Sequence, residues 1–82
     1  MQNDWINWTL LEQNIPLDEL PEFHRAFLKH NRPNEQDWDK TFLRQIQGKV
    51  QATLKQLERQ NLARFEIDTL LVSPDAIPEG YK

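Results

Sequence analysis

The sequence predicts an all-α fold: a small three-helix bundle with a long third helix and an extended acidic C-terminal tail. Two observations support this fold class. Apolar residues recur every three or four positions along most of the chain, as they do on one face of an amphipathic helix. Capping residues and prolines divide the chain into three segments of this kind. With 82 residues the chain has the size of one domain, which we expect at 1–72, followed by a flexible tail at 73–82.

The first helix is predicted to run from Asp4 to about Gln13, with Asn3 as its N-cap. The Asn-Ile-Pro sequence at 14–16 ends this helix, because proline commonly follows a helix C-terminus and cannot continue it. One face of the helix carries Trp5, Trp8 and Leu11. We assign the two tryptophans to the core or to a partner contact.

The second helix is predicted to follow a cap at Asp18 and to reach about Asn31. Proline is tolerated in the first turn of a helix, so Pro21 agrees with this start. Four residues repeat at helical spacing along this segment: Leu20, Phe23, Phe27 and His30.

The third helix is predicted to be long, from Glu35 to about Arg64. At about 100° per residue, its apolar side chains form one arc and its basic side chains form another. Gly48 lies within the basic arc. The alternating residues 65–71 that follow are compatible with a short extended segment before the tail. The basic arc consists of Lys40, Arg44, Lys55 and Arg59.

Charge is unevenly distributed along the chain, although the net charge is only −3. Residues 23–64 contain nine of the ten Lys and Arg residues and four of the thirteen acids, a local charge of +5. The flanking residues, 1–22 and 65–82, contain one base and nine acids, a charge of −8. A basic middle between acidic ends indicates a surface for an anionic partner that the net charge conceals.

Residue types and spacings give no indication of catalysis. The chain has no cysteine and only two glycines, so it lacks thiol chemistry, Cys-based zinc sites and a phosphate-binding glycine loop. His24 and His30 are six residues apart, which is not a ligand spacing on a helix. We therefore expect no catalytic residue, no metal, no cofactor and no small-molecule substrate, and we predict that the protein is not an enzyme.

The chain begins without a basic, apolar leader, and no stretch approaches the ~20 apolar residues of a membrane span. We therefore predict a cytoplasmic protein that has no membrane partner. The lack of cysteine is compatible with that compartment.

Clustered positive charge beside aromatic rings is typical of proteins that bind single-stranded nucleic acid. Acids are sparse on the basic arc of the third helix, and further cations lie on the second helix. Two other interpretations stay open: the basic arc is only a solvated face, and the aromatic residues belong to the core. The predicted nucleic-acid contacts are Lys40, Arg44 and Lys49 with phosphates, Arg25, Lys29 and Lys55 as flanking charges, and Phe27 and Trp38 as stacking rings.

The stretch Leu20–Gln47 resembles the single-stranded-DNA-binding domain of the DnaT-like family of replication-restart proteins and their phage relatives. The match consists of Leu20-Pro21-Glu22-Phe23, preceded by an Asn-Ile-Pro turn, and of Trp38 followed by Phe42 and Leu43. Two positions depart from the family pattern. Ala26-Phe27 replaces a Tyr-Trp pair, and Thr41 stands where the family has lysine, with Lys40 one place early.

This resemblance implies a three-helix domain that binds single-stranded DNA in a primosome-type replication assembly. The alternative is a small helical adaptor that binds a protein, either a replication partner or a second copy of the chain, without nucleic acid. The same basic face supports both hypotheses, because it can meet an acidic protein as well as DNA.

Overall fold

The computed structural model describes residues 4–35 and 43–81, and in these ranges it combines helices with a small antiparallel sheet. The prediction of an all-α fold is therefore wrong. In chain order the elements are β1 (Ile6–Asn7), α1 (Trp8–Asn14), α2 (Leu20–Asn31), α3 (Leu43–Arg59), β2 (Ala63–Phe65), β3 (Leu70–Val72) and a 3-10 turn at Pro74–Ala76.

The sheet has the order β1-β3-β2, with both neighbouring pairs antiparallel. Val72 is fully buried at its centre, between Ile6 on β1 and Ala63 on β2. Strands of two or three residues are too short to show a period of two, so the pattern of apolar residues does not predict them. The alternation at 65–71 is the only sign of extended backbone in the sequence, and it belongs to the β2–β3 hairpin.

The third helix ends at Arg59, earlier than predicted, because the chain reverses at Asn61. Asn61 has a φ of 62°, the left-handed conformation that asparagine tolerates better than most residues. The Leu62 amide donates to the Leu57 carbonyl at 2.8 Å, which closes the last helical turn in the manner of a Schellman motif. The following residue, Ala63, starts β2.

The boundaries of the other helices agree in part with the prediction. The first helix starts at Trp8, not at Asp4, because Asn7 caps it by accepting a hydrogen bond from the Leu10 amide. The predicted cap, Asn3, lies outside the described residues. The first helix ends at Asn14, one residue after the predicted end at about Gln13, and the predicted end of the second helix at about Asn31 is confirmed. Glu35 is not helical, and residues 36–42 lie outside the described ranges.

The core is built on an aromatic cluster that joins the first two helices. The ring of Trp8 lies 5.2 Å from that of Phe23 and 4.6 Å from that of Phe27, measured between centroids. Aromatic contacts at these distances add stability beyond the area they bury. The third helix closes the core with four buried apolar side chains in its described part: Ile46, Val50, Leu54 and Leu57.

The segment 73–81 is packed against this core and is not the flexible tail predicted from the sequence. Ile77 is fully buried, and the Tyr81 ring lies 4.9 Å from that of Phe23. The Asn31 side-chain amide donates to the carbonyl of Ala76 at 2.9 Å. The sequence does not indicate this packing, because the segment contains only a few apolar residues and their spacing shows no helix or strand period.

None of the helices in the described ranges is both long enough and apolar enough to cross a membrane.

We expect Ile77→Ala to lower the free energy of unfolding by about 2–5 kcal/mol, because it removes a fully buried side chain and leaves a cavity. Ile67→Ala is the matched control, since Ile67 is 99% exposed and its truncation should change stability by less than about 0.5 kcal/mol. Urea denaturation of the two variants measures the difference. Equal stabilities would mean that the 73–81 segment does not dock in solution.

We expect Gly48→Ala to raise the free energy of unfolding by up to about 1 kcal/mol. Gly48 lies inside α3, and a Cβ atom built on it meets no atom within 4 Å. Gly80→Ala is the control of opposite sign, because Gly80 has a φ of 94° that alanine rarely adopts. Thermal melts of both variants test the pair, and destabilisation by Gly48→Ala would contradict a continuous helix.

Candidate nucleic-acid interface

The structure does not bring the eight predicted contact residues onto one surface. Trp38 and Lys40 lie outside the described residues. Arg44 belongs to α3, but its side chain also lies outside the description. The other five residues are described, and they occupy four different environments.

Phe27 is fully buried in the aromatic cluster, so its predicted role of stacking on a base is wrong. The physical reason is its position four residues after Phe23 on the same face of α2. That face packs on Trp8 and on the third helix, and a ring enclosed in the core has no surface for a base. The competing interpretation, that the aromatic spacing describes a core, holds for this residue.

One of the two cations of α2, Arg25, lies next to an acid. The Arg25 guanidinium donates to the Glu22 carboxylate at 2.7 Å, one helical turn earlier, and its side chain is only 27% exposed. Lys29 is exposed one turn later on the same helix. An anion that contacts Arg25 therefore meets the negative charge of Glu22 as well, which weakens this part of the predicted site.

Lys49 belongs to a second ion-paired group, between the end of α2 and the third helix. Its ammonium lies 3.8 Å from the Glu35 carboxylate, and the Arg32 guanidinium lies 2.7 Å from the same group. Each partner is about one-third exposed, where an ion pair is worth at most about 1 kcal/mol. Glu35 thus offsets part of the positive charge that the sequence assigned to this region.

The exposed side of α3 presents a different kind of surface, which we call the α3 ridge and define as Gln51, Lys55 and Arg59. These residues are four apart, so they line one side of the helix, while Leu54 and Leu57 point into the core. In the described ranges no carboxylate forms an ion pair with Lys55 or Arg59. Among the described cations, Lys55 and Arg59 therefore lack the ion pairs found at Arg25 and Lys49.

The aromatic ring of Phe65 lies beside the α3 ridge. The Lys55 ammonium lies 4.6 Å from the centroid of Phe65, whose side chain is 37% exposed. A cation over an exposed ring contributes about 0.5–1 kcal/mol and holds the ammonium in place. The third helix predicted from the sequence continues to Arg64 and would place Phe65 on its apolar side. The sequence therefore does not indicate the contact between Lys55 and Phe65.

The two histidines have structural roles. His24 is buried, and its Nε2–H donates to the Glu12 carboxylate at 2.7 Å while its ring stacks on Trp8. The Nε2–H of His30 donates to the Asp75 carbonyl at 2.7 Å and so ties the 73–81 segment to the second helix. Within the described ranges, no group of three or more His, Asp or Glu side chains is arranged to hold a metal ion.

The chain was compared with models of protein families, with curated proteins and with solved structures, and it matches none of them.

Proposed function

We propose that this protein is a non-catalytic module that binds single-stranded DNA, and that the α3 ridge is its contact surface. The observation that carries the proposal is the lack of any ion pair at Lys55 and Arg59 among the described residues, in contrast to Arg25 and Lys49. Phosphate binding requires cations that are not already compensated, because the affinity arises from the release of counterions condensed on the nucleic acid.

Lys55 and Arg59 make the principal phosphate contacts in this proposal, and Arg44 precedes them on the same helix. Arg25, Lys29 and Lys49 contribute as flanking charges. Arg25 and Lys49 do so at the cost of their pairs with Glu22 and Glu35. In this proposal two rings stack on bases: Trp38, which lies outside the described residues, and the exposed part of Phe65. The binding is weak and independent of base sequence, since few phosphates are engaged.

The setting of this function is proposed from the resemblance to DnaT-like domains: a primosome-type replication assembly with other replication proteins as partners. A cytoplasmic location belongs to the same proposal. A chain without cysteine does not depend on an oxidising compartment for disulfides. The proposed contacts involve no cofactor and no bond-breaking step.

We expect Lys55→Gln and Arg59→Gln each to lower the slope of log affinity against log salt by up to about 0.7, the value for one phosphate contact on a single strand. Fluorescence anisotropy with a labelled oligo-dT strand, from about 20 to 200 mM salt, measures the slope. Arg59 is exposed, so Arg59→Gln should leave the melting temperature unchanged, whereas Lys55→Gln should lower it slightly by removing the contact with the Phe65 ring.

Arg25→Gln is the control for this experiment. It removes the same charge from a residue that Glu22 already compensates, so the slope should change less than with Lys55→Gln. An equal or larger effect of Arg25→Gln would move the contact surface to α2. A protein that shows no salt-dependent binding to single strands at about 20 mM salt contradicts the proposal as a whole.

A second candidate function, a protein-interaction module without nucleic acid, is favoured by exposed apolar side chains. Leu17 is 87% exposed and Ile67 is 99% exposed. Leu17 borders a shallow groove between the helices, in which Leu20 and Pro21 lie next to His24 and Gln47. A contiguous exposed apolar patch can mark a contact with another protein, and Leu17, Leu20 and Pro21 line this groove together.

A further inference from the structure

The strand β2 lies at one edge of the sheet, next to β3 only. Two hydrogen bonds define which of its backbone groups face β3. The Glu66 amide donates to the Thr69 carbonyl at 2.7 Å, and the Ser73 amide donates to the Leu62 carbonyl at 2.8 Å. Bonded and non-bonded pairs alternate along an antiparallel ladder, so Arg64 bonds to β3 and its two neighbours do not.

The backbone N–H and C=O groups of Ala63 and Phe65 therefore point away from the sheet, along its free edge. In the described ranges β3 is the only strand beside β2, and no turn or loop hydrogen bond involves these backbone groups. An open edge of this kind is a template for another strand, and proteins usually protect it with a short strand, charged side chains, a proline, a bulge or a cover. The described part of the chain has no proline in β2. It carries two exposed apolar side chains here, Phe65 in the strand and Ile67 in the turn.

The sequence around Phe65 determines which strand fits this edge. Arg64 and Glu66 flank the phenylalanine and lie on the same face of the strand, because side chains alternate with a period of two. An antiparallel copy centred on Phe65 places Arg64 of one chain opposite Glu66 of the other, and the reverse pair follows by symmetry. Opposite charges directly across a strand pair are stabilising.

The same register satisfies the backbone. Phe65 lies on the two-fold axis and faces its own copy, so the two residues exchange both N–H to C=O hydrogen bonds. Moving the axis by one residue toward the N-terminus places Arg64 opposite Arg64 of the other copy, and like charges in this position repel. The charges thus select one register.

We propose that the edge of β2 is a self-association surface, on which a second copy of this chain pairs antiparallel with β2 around Phe65. The three-stranded sheets of the two chains then form one continuous sheet in a two-fold dimer. The occupant is a second copy because the Arg-Phe-Glu sequence at 64–66 is complementary to itself when it is reversed. A two-fold contact uses the same patch on both chains and closes, so the assembly stops at the dimer.

The dimer does not depend on DNA binding. It does affect the α3 ridge, because Lys55 lies over Phe65 and the two rings face each other across the axis. Two ridges are then joined at one interface, which doubles the number of cations available to a strand. Arg64 exchanges its contact with Glu66 of its own chain, at 3.9 Å, for the carboxylate of the other copy.

The interface buries few residues, so the association is weak and depends on concentration. Sedimentation velocity of the whole chain over a wide range of concentrations measures it. We expect the mass to rise from that of one chain to that of two. A mass that stays at one chain up to the solubility limit overturns the proposal, and so does a mass that rises beyond two.

Charge exchange tests the register. Arg64→Glu places a second carboxylate opposite Glu66, so we expect dimerisation to weaken at least tenfold, and Glu66→Arg should do the same by placing two guanidinium groups opposite each other. Carrying both substitutions in one chain restores the complementary pairs and should restore the dimer. Arg64 and Glu66 are exposed, and thermal melts of each variant verify that it is folded. Single variants that associate like the original chain, or a double variant that stays monomeric, overturn the register.

Amide hydrogen exchange tests the backbone pairing itself. The Phe65 amide points to the free edge in the monomer, so we expect its exchange to slow as concentration rises. The Arg64 amide is already bonded to β3 and should not change, which makes it the internal control. A dimer without slower exchange at Phe65 associates through another surface, such as the groove near Leu17, or through an unrelated contact, and contradicts the β2 assignment.

Neither experiment requires DNA, so dimerisation and DNA binding are tested separately. A protein that binds oligo-dT as a monomer is thereby distinguished from one that dimerises without binding oligo-dT.

Discussion

The turn at Asn61 is the constraint on which the rest of the structure depends. Its left-handed backbone and the hydrogen bond from Leu62 to Leu57 end α3 at this point. A continuous helix would have carried the following residues onward as another helical turn. Because the chain reverses instead, Ala63 enters a strand, β3 returns beside it, and the hairpin places Val72 in the core between β1 and β2.

The same turn creates both surfaces to which we assign interactions. It places Phe65 beside Lys55 at the exposed side of α3, and it leaves β2 at the edge of the sheet. A cation that would otherwise move freely is held over a ring, and a strand with self-complementary charges is presented to solvent. DNA binding and dimerisation are therefore physically connected, although each can be measured without the other.

Charge compensation explains why the basic middle of the sequence is a weaker anion site than its count of cations indicates. Glu22 binds Arg25, and Glu35 lies between Arg32 and Lys49. Only Glu35 belongs to the basic segment itself; Glu22 belongs to the acidic N-terminal part. Local net charge therefore overestimates the positive surface at Arg25, whose partner lies outside the basic segment, and among the described cations Lys55 and Arg59 of the α3 ridge have no ion pair.

The sequence by itself determined the second helix, the C-terminal end of the first and the apolar face of the third, because these depend on local spacing and on prolines. Only the tertiary structure decided the sheet, the burial of Ile77 and the contact of Lys55 with Phe65. Each of these joins residues that are distant in sequence or lie in segments too short to have a period. A helical period reports which face of a helix is apolar, but it does not report which distant segment covers that face.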